Sequence, residues 1–293
     1  MPSIPFKQVD VFTSVRFKGN PVAVILKADG LCAEQMQQIA NWTNLSETTF
    51  VVPATDARAD YHVRIFTPGA ELPFAGHPTI GTAHALMEAG MIKARDGLLT
   101  QQCGAGLVRL KVERAADGAQ WIFFELPEPK ITALDAAQVT ELEAVLGVSL
   151  EDSPAPCVVD VGPRWVVAQL PSAEAVIAAQ PDLQRMKVQD IRGRHTGVVI
   201  FGEHEEGAAA KIEVRAFAPA HGINEDPVCG SGNGSVGAFI RHTSQTARFG
   251  DDFLASQGAV VGRAGVLRLI LNEPSIRVGG NAVSCIDGSL SVS

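Results

Sequence analysis

Three short stretches hold residues whose types could do chemistry. In NLSETTFV, residues 44–51, Glu47 sits among hydroxyl residues just ahead of an apolar run. A carboxyl group partly withdrawn from water there has a raised pKa and can take and return a proton near neutrality. A turn or capping glutamate is the plainer alternative. In FAGHPTIG, residues 74–81, a glycine allows close backbone approach and a helix follows at once. The amides of Gly76 and His77 would then donate to a carboxylate or a developing oxyanion. His77 would relay a proton or orient Glu47, or else be a hydrogen-bonded structural residue. In EDPVCGSGNG, residues 225–234, Asp226 precedes a proline that fixes the chain direction, and Ser231 brings a hydroxyl and an amide to a helix start. Cys229 stands where a helix dipole favours thiolate, or is a small buried hydrophobe.

These stretches need elements to carry them. VFTSVRF and NPVAVIL read as strands joined by a turn at Lys18-Gly19-Asn20, and residues 32–43 as a short helix. ETTFVVPA and YHVRIFTP read as strands, and TIGTAHALMEAGMI as a buried helix of small residues ending at Gly90. GLVRLKVERAADGAQWIFFELPEP carries a hairpin signal at Asp117-Gly118. The second half echoes the first. Val63, Arg64, Phe66 and Pro68 match Val214, Arg215, Phe217 and Pro219 at a constant offset of 151, from 214 − 63. Three extra loop residues then make the offset 154, so Gly76 falls on Gly230, His77 on Ser231 and Ala75 on Cys229. Two halves of one duplicated fold are expected, each with a glycine turn feeding a helix N-terminus; chance similarity between two strand–turn–helix units is the plainer alternative. Such halves often face each other across a cleft, which would aim both N-termini at one anionic ligand.

Composition narrows the class of protein. The 293 residues suggest two domains, and 46% hydrophobic against 19% charged residues permits a large core. The net charge is 24 − 32 = −8, and no basic run appears, which argues against nucleic acid or an anionic membrane surface as partner. MPSIPFKQVDVF lacks the apolar stretch of a secretion signal, and runs such as GVVIF are too short to span a bilayer. Five widely spaced cysteines, with no CxxC, argue against a disulfide framework or a zinc site. A reduced, soluble, cytoplasmic protein is expected.

The sequence resembles the PhzF-like (phenazine biosynthesis-like) isomerase family. The resemblance is carried by Gly19-Asn20-Pro21, Asn44-Leu45-Ser46-Glu47-Thr48, Phe66-Thr67-Pro68 with Glu71-Leu72-Pro73, the FAGHPTIG stretch, and Glu225-Asp226-Pro227-Val228 with Gly230-Ser231. These appear in family order over nearly the whole chain. The resemblance implies an α/β (α+β), diaminopimelate epimerase-like fold: two pseudo-symmetric domains, each a curved mixed β-sheet around a central helix. The hairpin at 117–118 marks the crossing, with residues 1–117 in the first domain and 118–279 in the second, and the resemblance returns residues 280–293 to the first. The resemblance also implies a cofactor-independent site and a homodimer.

Carried over residue by residue, the resemblance makes Glu47 general base and then acid, with His77 and Asp226 as polar partners. Gly76, Gly230, Ser231, Cys229 and Asn20 would contact a small carboxylate substrate. The expected reaction moves a proton alpha or vinylogous to a carboxylate on a small acid, cyclic or open-chain. The related epimerases use one cysteine in each half; here the first of these positions is Ala75, whose methyl cannot exchange a proton. An epimerase or dehydratase built on Glu47 and Cys229 is one alternative, and a non-catalytic carboxylate-binding protein is another.

Overall fold

The computed structural model describes residues 3–115, 118–151, 153–272 and 275–292. The chain divides into two compact units, Met1–Glu125 with Gly279–Ser293, and Leu126–Val278.

The first unit runs β1 (Ser3–Val11), β2 (Asn20–Ile25), α1 (Ala33–Thr43), β3 (Thr48–Val52), β4 (Tyr61–Phe66), β5 (Glu71–Leu72), α2 (Gly76–Glu88), β6 (Leu98–Cys103), β7 (Gly106–Arg114) and β8 (Gln120–Glu125). β1 pairs antiparallel with β2, β2 parallel with β3, β3 antiparallel with β4, β4 parallel with β6, and β6 antiparallel with β7. The short β5 hangs on β4, and β7 turns back onto β8.

The second unit begins with β9 (Lys130–Ala133), α3 (Ala136–Leu146), β10 (Cys157–Asp160), β11 (Arg164–Gln169), α4 (Ala173–Ala178), α5 (Leu183–Gly193) and β12 (Gly197–Glu203). It continues through β13 (Ile212–Ala218), β14 (Ile223–Asp226), α6 (Gly230–His242), β15 (Asp252–Gln257), β16 (Gly265–Ile270) and β17 (Arg277–Gly280). From β10 to β16 the pairings repeat those of β1 to β7 step for step: antiparallel, parallel, antiparallel, a short strand, parallel, antiparallel. The last strand, β18 (Ala282–Ser291), returns to the first unit and pairs with β1, as the resemblance implies.

Each unit is built around one helix. α2 and α6 both have thirteen residues, ten of them buried. A helix apolar or small on every side belongs inside a core, and both are rich in Gly, Ala, Ser and Thr, which lets strands approach. α2 packs on β1, β2, β8 and β18, and α6 on β10, β11, β12 and β16. At Gly81 a Cβ would collide with Val22 and lie 2.9 Å from Val11 Cγ2, so the α2 to sheet distance is set by the absence of a side chain.

The duplication extends to side chains. The Arg64 guanidinium lies 5.2 Å over the Phe66 ring and forks onto Glu71 with two 2.7 Å bonds. Arg215 lies 4.9 Å over Phe217 and forks onto Glu225 at 2.9 and 2.8 Å. Planar guanidinium suits both the bidentate pair and the ring face. The arginines differ by 215 − 64 = 151 and the acids by 225 − 71 = 154, the two offsets read from the sequence.

Three expectations need correction. VFTSVRF is not a strand: β1 ends at Val11, and Phe12 and Phe17 adopt left-handed φ of 64° and 68°, which break the extended run. α2 starts at Gly76 rather than Thr79, so His77 lies in the first helical turn. The crossing between units falls at 125–126 instead of 117–118, because β8 stays paired with β7 across the hairpin. Of that hairpin turn, Asp117 lies outside the described residues.

One buried charge in the second unit serves no visible partner. Asp190, on α5, is wholly buried, and neither carboxyl oxygen has a hydrogen-bond partner among the described residues; His195 Nδ1 is 4.0 Å away. Burial pushes its pKa from 3.8 up to about 7. The folded value lies above the unfolded one, so this carboxyl costs nothing where both states are protonated. The cost grows as pH rises from the unfolded value to the folded one. A shift from 3.8 to about 7 corresponds to roughly 4 kcal/mol at most. Asp190→Asn is therefore expected to raise stability to urea by ~2 kcal/mol near pH 8, with the gain vanishing near pH 4. A pH-independent difference in unfolding free energy would contradict it.

Candidate active site

Glu47 stands at a junction. α1 ends at Thr43, its C-cap Asn44 turns the chain with a left-handed φ of 54°, and β3 begins four residues after the cap, at Thr48. That junction is pinned by hydroxyl groups. Thr43 Oγ1 meets Thr48 Oγ1 at 2.8 Å, and Thr82 Oγ1, from α2, donates to Thr49 Oγ1 at 2.9 Å. Thr49 in turn donates to the Ala23 carbonyl of β2 at 3.3 Å. The bonds tie the start of β3 to the central helix. They bring the Glu47 carboxyl to His77 in the first turn of α2, with Nε2 to Oε2 at 3.4 Å. The two side chains are 14% and 7% exposed, so the pair is withdrawn from water. Desolvation pushes the Glu47 pKa from 4.5 up to about 7, against a hydrogen bond with the Ser46 side chain that pulls it down.

Gly76 is the first residue of α2, and its N-cap, Ala75, has no side chain to cap the helix. The first-turn amides are thus left uncapped by a side chain where a dipole favours negative charge. A Cβ at 76 would lie 2.7 Å from Phe124 Cζ, so only glycine lets this turn reach the ring. Asn20 opens β2, opposite Val11, and is buried.

The second unit gathers Asp226, Cys229, Gly230 and Ser231. Asp226 ends β14 and its Oδ1 accepts the Val228 N–H at 2.9 Å, closing the turn around Pro227. Cys229 is the N-cap of α6: its Sγ accepts the Gly232 N–H at 3.3 Å. It is 5% exposed. The thiol does more than line a pocket, since it holds the helix start. Ser231 Oγ lies 3.6 Å from that sulfur and accepts the Trp165 indole N–H at 3.0 Å. Within unit 1 the structure joins Glu47, His77 and Gly76, and within unit 2 it joins Asp226, Cys229, Gly230 and Ser231.

Two supporting residues escaped sequence reasoning. Gln257 on β15 accepts the Cys229 N–H at 3.1 Å and an Asn233 N–H at 2.7 Å, and donates to the Asp226 carbonyl at 2.8 Å. Trp165 is the other; its tryptophan lies 66 residues from Ser231. Neither has a local motif, and only the repeated strand order could have pointed to them. Among the described residues, no group of three or more His, Cys, Asp or Glu is placed to hold a metal ion, and no helix is long and apolar enough to cross a membrane.

Comparison with known proteins places the chain in a family. The family model described as phenazine biosynthesis-like protein matches residues 9–288. The chain is 43% identical to "Antisense-enhancing sequence 1" of Schizosaccharomyces pombe, over 97% of each chain. It is 37% identical to the trans-2,3-dihydro-3-hydroxyanthranilate isomerase of Pseudomonas chlororaphis, over 88% of this chain and 87% of that one. A crystal structure of a Bacillus anthracis phenazine biosynthesis protein of the PhzF family superposes with a TM-score of 0.85, at 24% identity and full coverage of both chains. Solved racemase and epimerase structures share the architecture at 16% and 15% identity, which identifies the diaminopimelate epimerase-like fold.

The Glu47 environment makes a direct prediction. In protein carrying ¹³C-labelled glutamate, one side-chain carboxyl signal should titrate with a midpoint near 7, and Glu47→Gln should remove it. If every glutamate titrates below about pH 5, the desolvated carboxyl does not exist as described.

Proposed function

Because the chain belongs to the phenazine biosynthesis-like protein family, we propose that it is a proton-transfer isomerase in which Glu47 carries the proton. The observation that carries this reading is the Glu47–His77 pair at the start of α2, with a carboxyl whose pKa is brought to about 7 by desolvation. A base tuned there is about half ionised at neutral pH, and once protonated it is acidic enough to give the proton back. The same group therefore serves both halves of an isomerisation.

The steps balance without another reagent. Glu47 carboxylate removes a proton from a carbon alpha or vinylogous to the substrate carboxylate. The electron pair delocalises into an enolate-like system. Glu47, now a carboxylic acid, returns the proton to a second carbon and is regenerated. His77 is assigned to orienting the Glu47 carboxyl, and Asp226 to a polar substrate group. The amides of Gly76 and Gly230, with the Ser231 hydroxyl and Asn20, are assigned to the substrate's carboxylate and to the charge that develops on it. A single general base supplies about 10²–10⁴-fold, so this electrostatic cradle must supply much of the remaining rate.

The substrate class follows the relative from Pseudomonas chlororaphis, whose name gives trans-2,3-dihydro-3-hydroxyanthranilate. A small cyclic carboxylic acid with an acidic C–H beside an unsaturated system meets the chemical requirement. Cys229 is not given the proton, since its sulfur is engaged as a helix cap by the Gly232 amide.

Incubation with trans-2,3-dihydro-3-hydroxyanthranilate and related cyclic acids in D₂O should place deuterium on carbon. Glu47→Gln should lower the exchange rate by about 10²-fold or more. Exchange in the wild type should fall tenfold per unit as pH drops below about 7, where the base becomes protonated. Full exchange by the Gln variant would remove Glu47 from the role.

A further inference from the structure

We propose that Trp165 is a positioning residue of this site, fixing the Ser231 hydroxyl as a hydrogen-bond donor reserved for an anionic group of the substrate. The inference rests on the reading above that Ser231 contacts the substrate's carboxylate.

The argument begins with donor and acceptor counts. An indole N–H can only donate, and a serine hydroxyl has one proton and two lone pairs. The 3.0 Å bond from Trp165 Nε1 to Ser231 Oγ therefore has one possible polarity, and it occupies one lone pair. The other neighbour of that oxygen is Cys229 Sγ, at 3.6 Å, already the acceptor of the Gly232 N–H. Sulfur is a weak acceptor and a thiol a weak donor. If the thiol donates, the second lone pair of Ser231 is filled; if it accepts, it holds the hydroxyl proton weakly. In both cases a carboxylate oxygen is the stronger claimant for the Ser231 proton. A ligand group that needs an acceptor, such as an amide N–H₂, finds little capacity on this oxygen. The arrangement discriminates by polarity as well as by charge.

The duplicated topology shows why the indole fits. In unit 1, Thr48 opposes Phe66 across β3 and β4; in unit 2, Val198 opposes Phe217 across β12 and β13. Phe66 and Phe217 are equivalent, so Thr48 matches Val198, and the residues just before them, Glu47 and Gly197, match as well. Likewise His77 matches Ser231. Where unit 1 sets a glutamate beside His77, unit 2 has a glycine. Trp165, which pairs with Gly197 in the parallel register, brings its ring there instead. A Cβ at 197 would run into the Phe217 carbonyl and lie 2.9 Å from Trp165 Cζ3. The missing side chain is what makes room for the indole, which is 3% exposed. One half holds a proton-exchanging pair and the other, at the matching place, a fixed-donor pair.

The test compares 2-aminobenzoate with its neutral isostere 2-aminobenzamide, by calorimetry on the wild type, Trp165→Phe, Ser231→Ala and the double variant. Phenylalanine keeps a ring in the space and removes the N–H. The wild type should prefer the carboxylate. Trp165→Phe should lose about 10-fold of that preference, mostly through weaker carboxylate binding, and Ser231→Ala should lose a similar amount. The double variant should lose no more than either single one, because both act through one bond. Retained preference in Trp165→Phe, equal weakening toward both probes, multiplying losses in the double variant, or a wild type without preference would each overturn the proposal. The ligand-free protein gives a second readout. The Trp165 indole ¹H–¹⁵N signal, distinguished from those of Trp42 and Trp121, should shift and exchange faster with solvent in Ser231→Ala. An unmoved signal would overturn the bond itself, whether or not Trp165→Phe folds. A wild type that prefers the carboxylate but never exchanges a proton would sink the isomerase reading and leave this one standing.

Discussion

Keeping water from the Glu47 carboxyl is what raises its pKa to about 7, and that exclusion is the constraint that orders the first unit. Desolvation is the largest influence on this group, and the Ser46 hydrogen bond works against it. Such burial destabilises the fold, so the surroundings must be rigid enough to impose it. The threonines at 43, 48, 49 and 82 supply that rigidity, since each joins one element to the next by its hydroxyl. The His77 distance belongs to the same compromise. A short, fully ionic contact would pull the carboxyl back toward the ordinary range; at 3.4 Å the ring lies near without closing a strong bond.

The second unit repeats the scaffold and changes the chemistry. The strand pairings and the arginine–phenylalanine–glutamate clusters correspond one to one. Yet the Arg215–Glu225 pair is buried, its side chains 5% and 11% exposed, against 27% and 42% for Arg64–Glu71. Arg215 also donates to the Val176 and Ala179 carbonyls, so α4 is fastened to β13 in a way α1 is not fastened to β4. A duplicated frame fixes where side chains start and leaves open what they do.

Much of this was legible in the sequence, because the repeat is written in short, strongly constrained segments. The matching Arg-x-Phe strands gave the offset of 151, and the glycine turns gave the offset of 154 and the two central helices, with the start of α2 placed three residues late. The strand reading of VFTSVRF failed for a physical reason. Alternation marks a strand only when a partner is available, and β1 takes its second partner, β18, from the far end of the chain. The chain leaves that pairing at Val11, where Phe12 bonds to the Asn281 carbonyl with left-handed φ. The crossing point was misplaced by a turn signal that marks a hairpin within one unit. Trp165 and Gln257 were invisible, since each acts through a contact with the start of α6 that only the fold creates, and Asp190 was invisible because its burial comes from the packing of α5.

Cys229 shows how a suggestive residue type is decided by its partners. Its position matches Ala75 at an offset of 229 − 75 = 154, so both are N-caps of central helices. Alanine leaves the first amides of α2 unclaimed by a cap, while the Cys229 sulfur takes the Gly232 amide. To reach a carbon atom this thiol would have to leave the cap, and loss of a cap costs about 1 kcal/mol before any chemistry begins. With a methyl at one cap and an engaged sulfur at the other, neither central-helix cap offers an unengaged thiol to exchange a proton. Inverting a stereocentre needs two exchanging groups, one for each face of the carbon. On the proposed reading one carboxyl both removes and returns the proton, so it acts on one face of the substrate, which suits moving a proton between carbons and not inverting one.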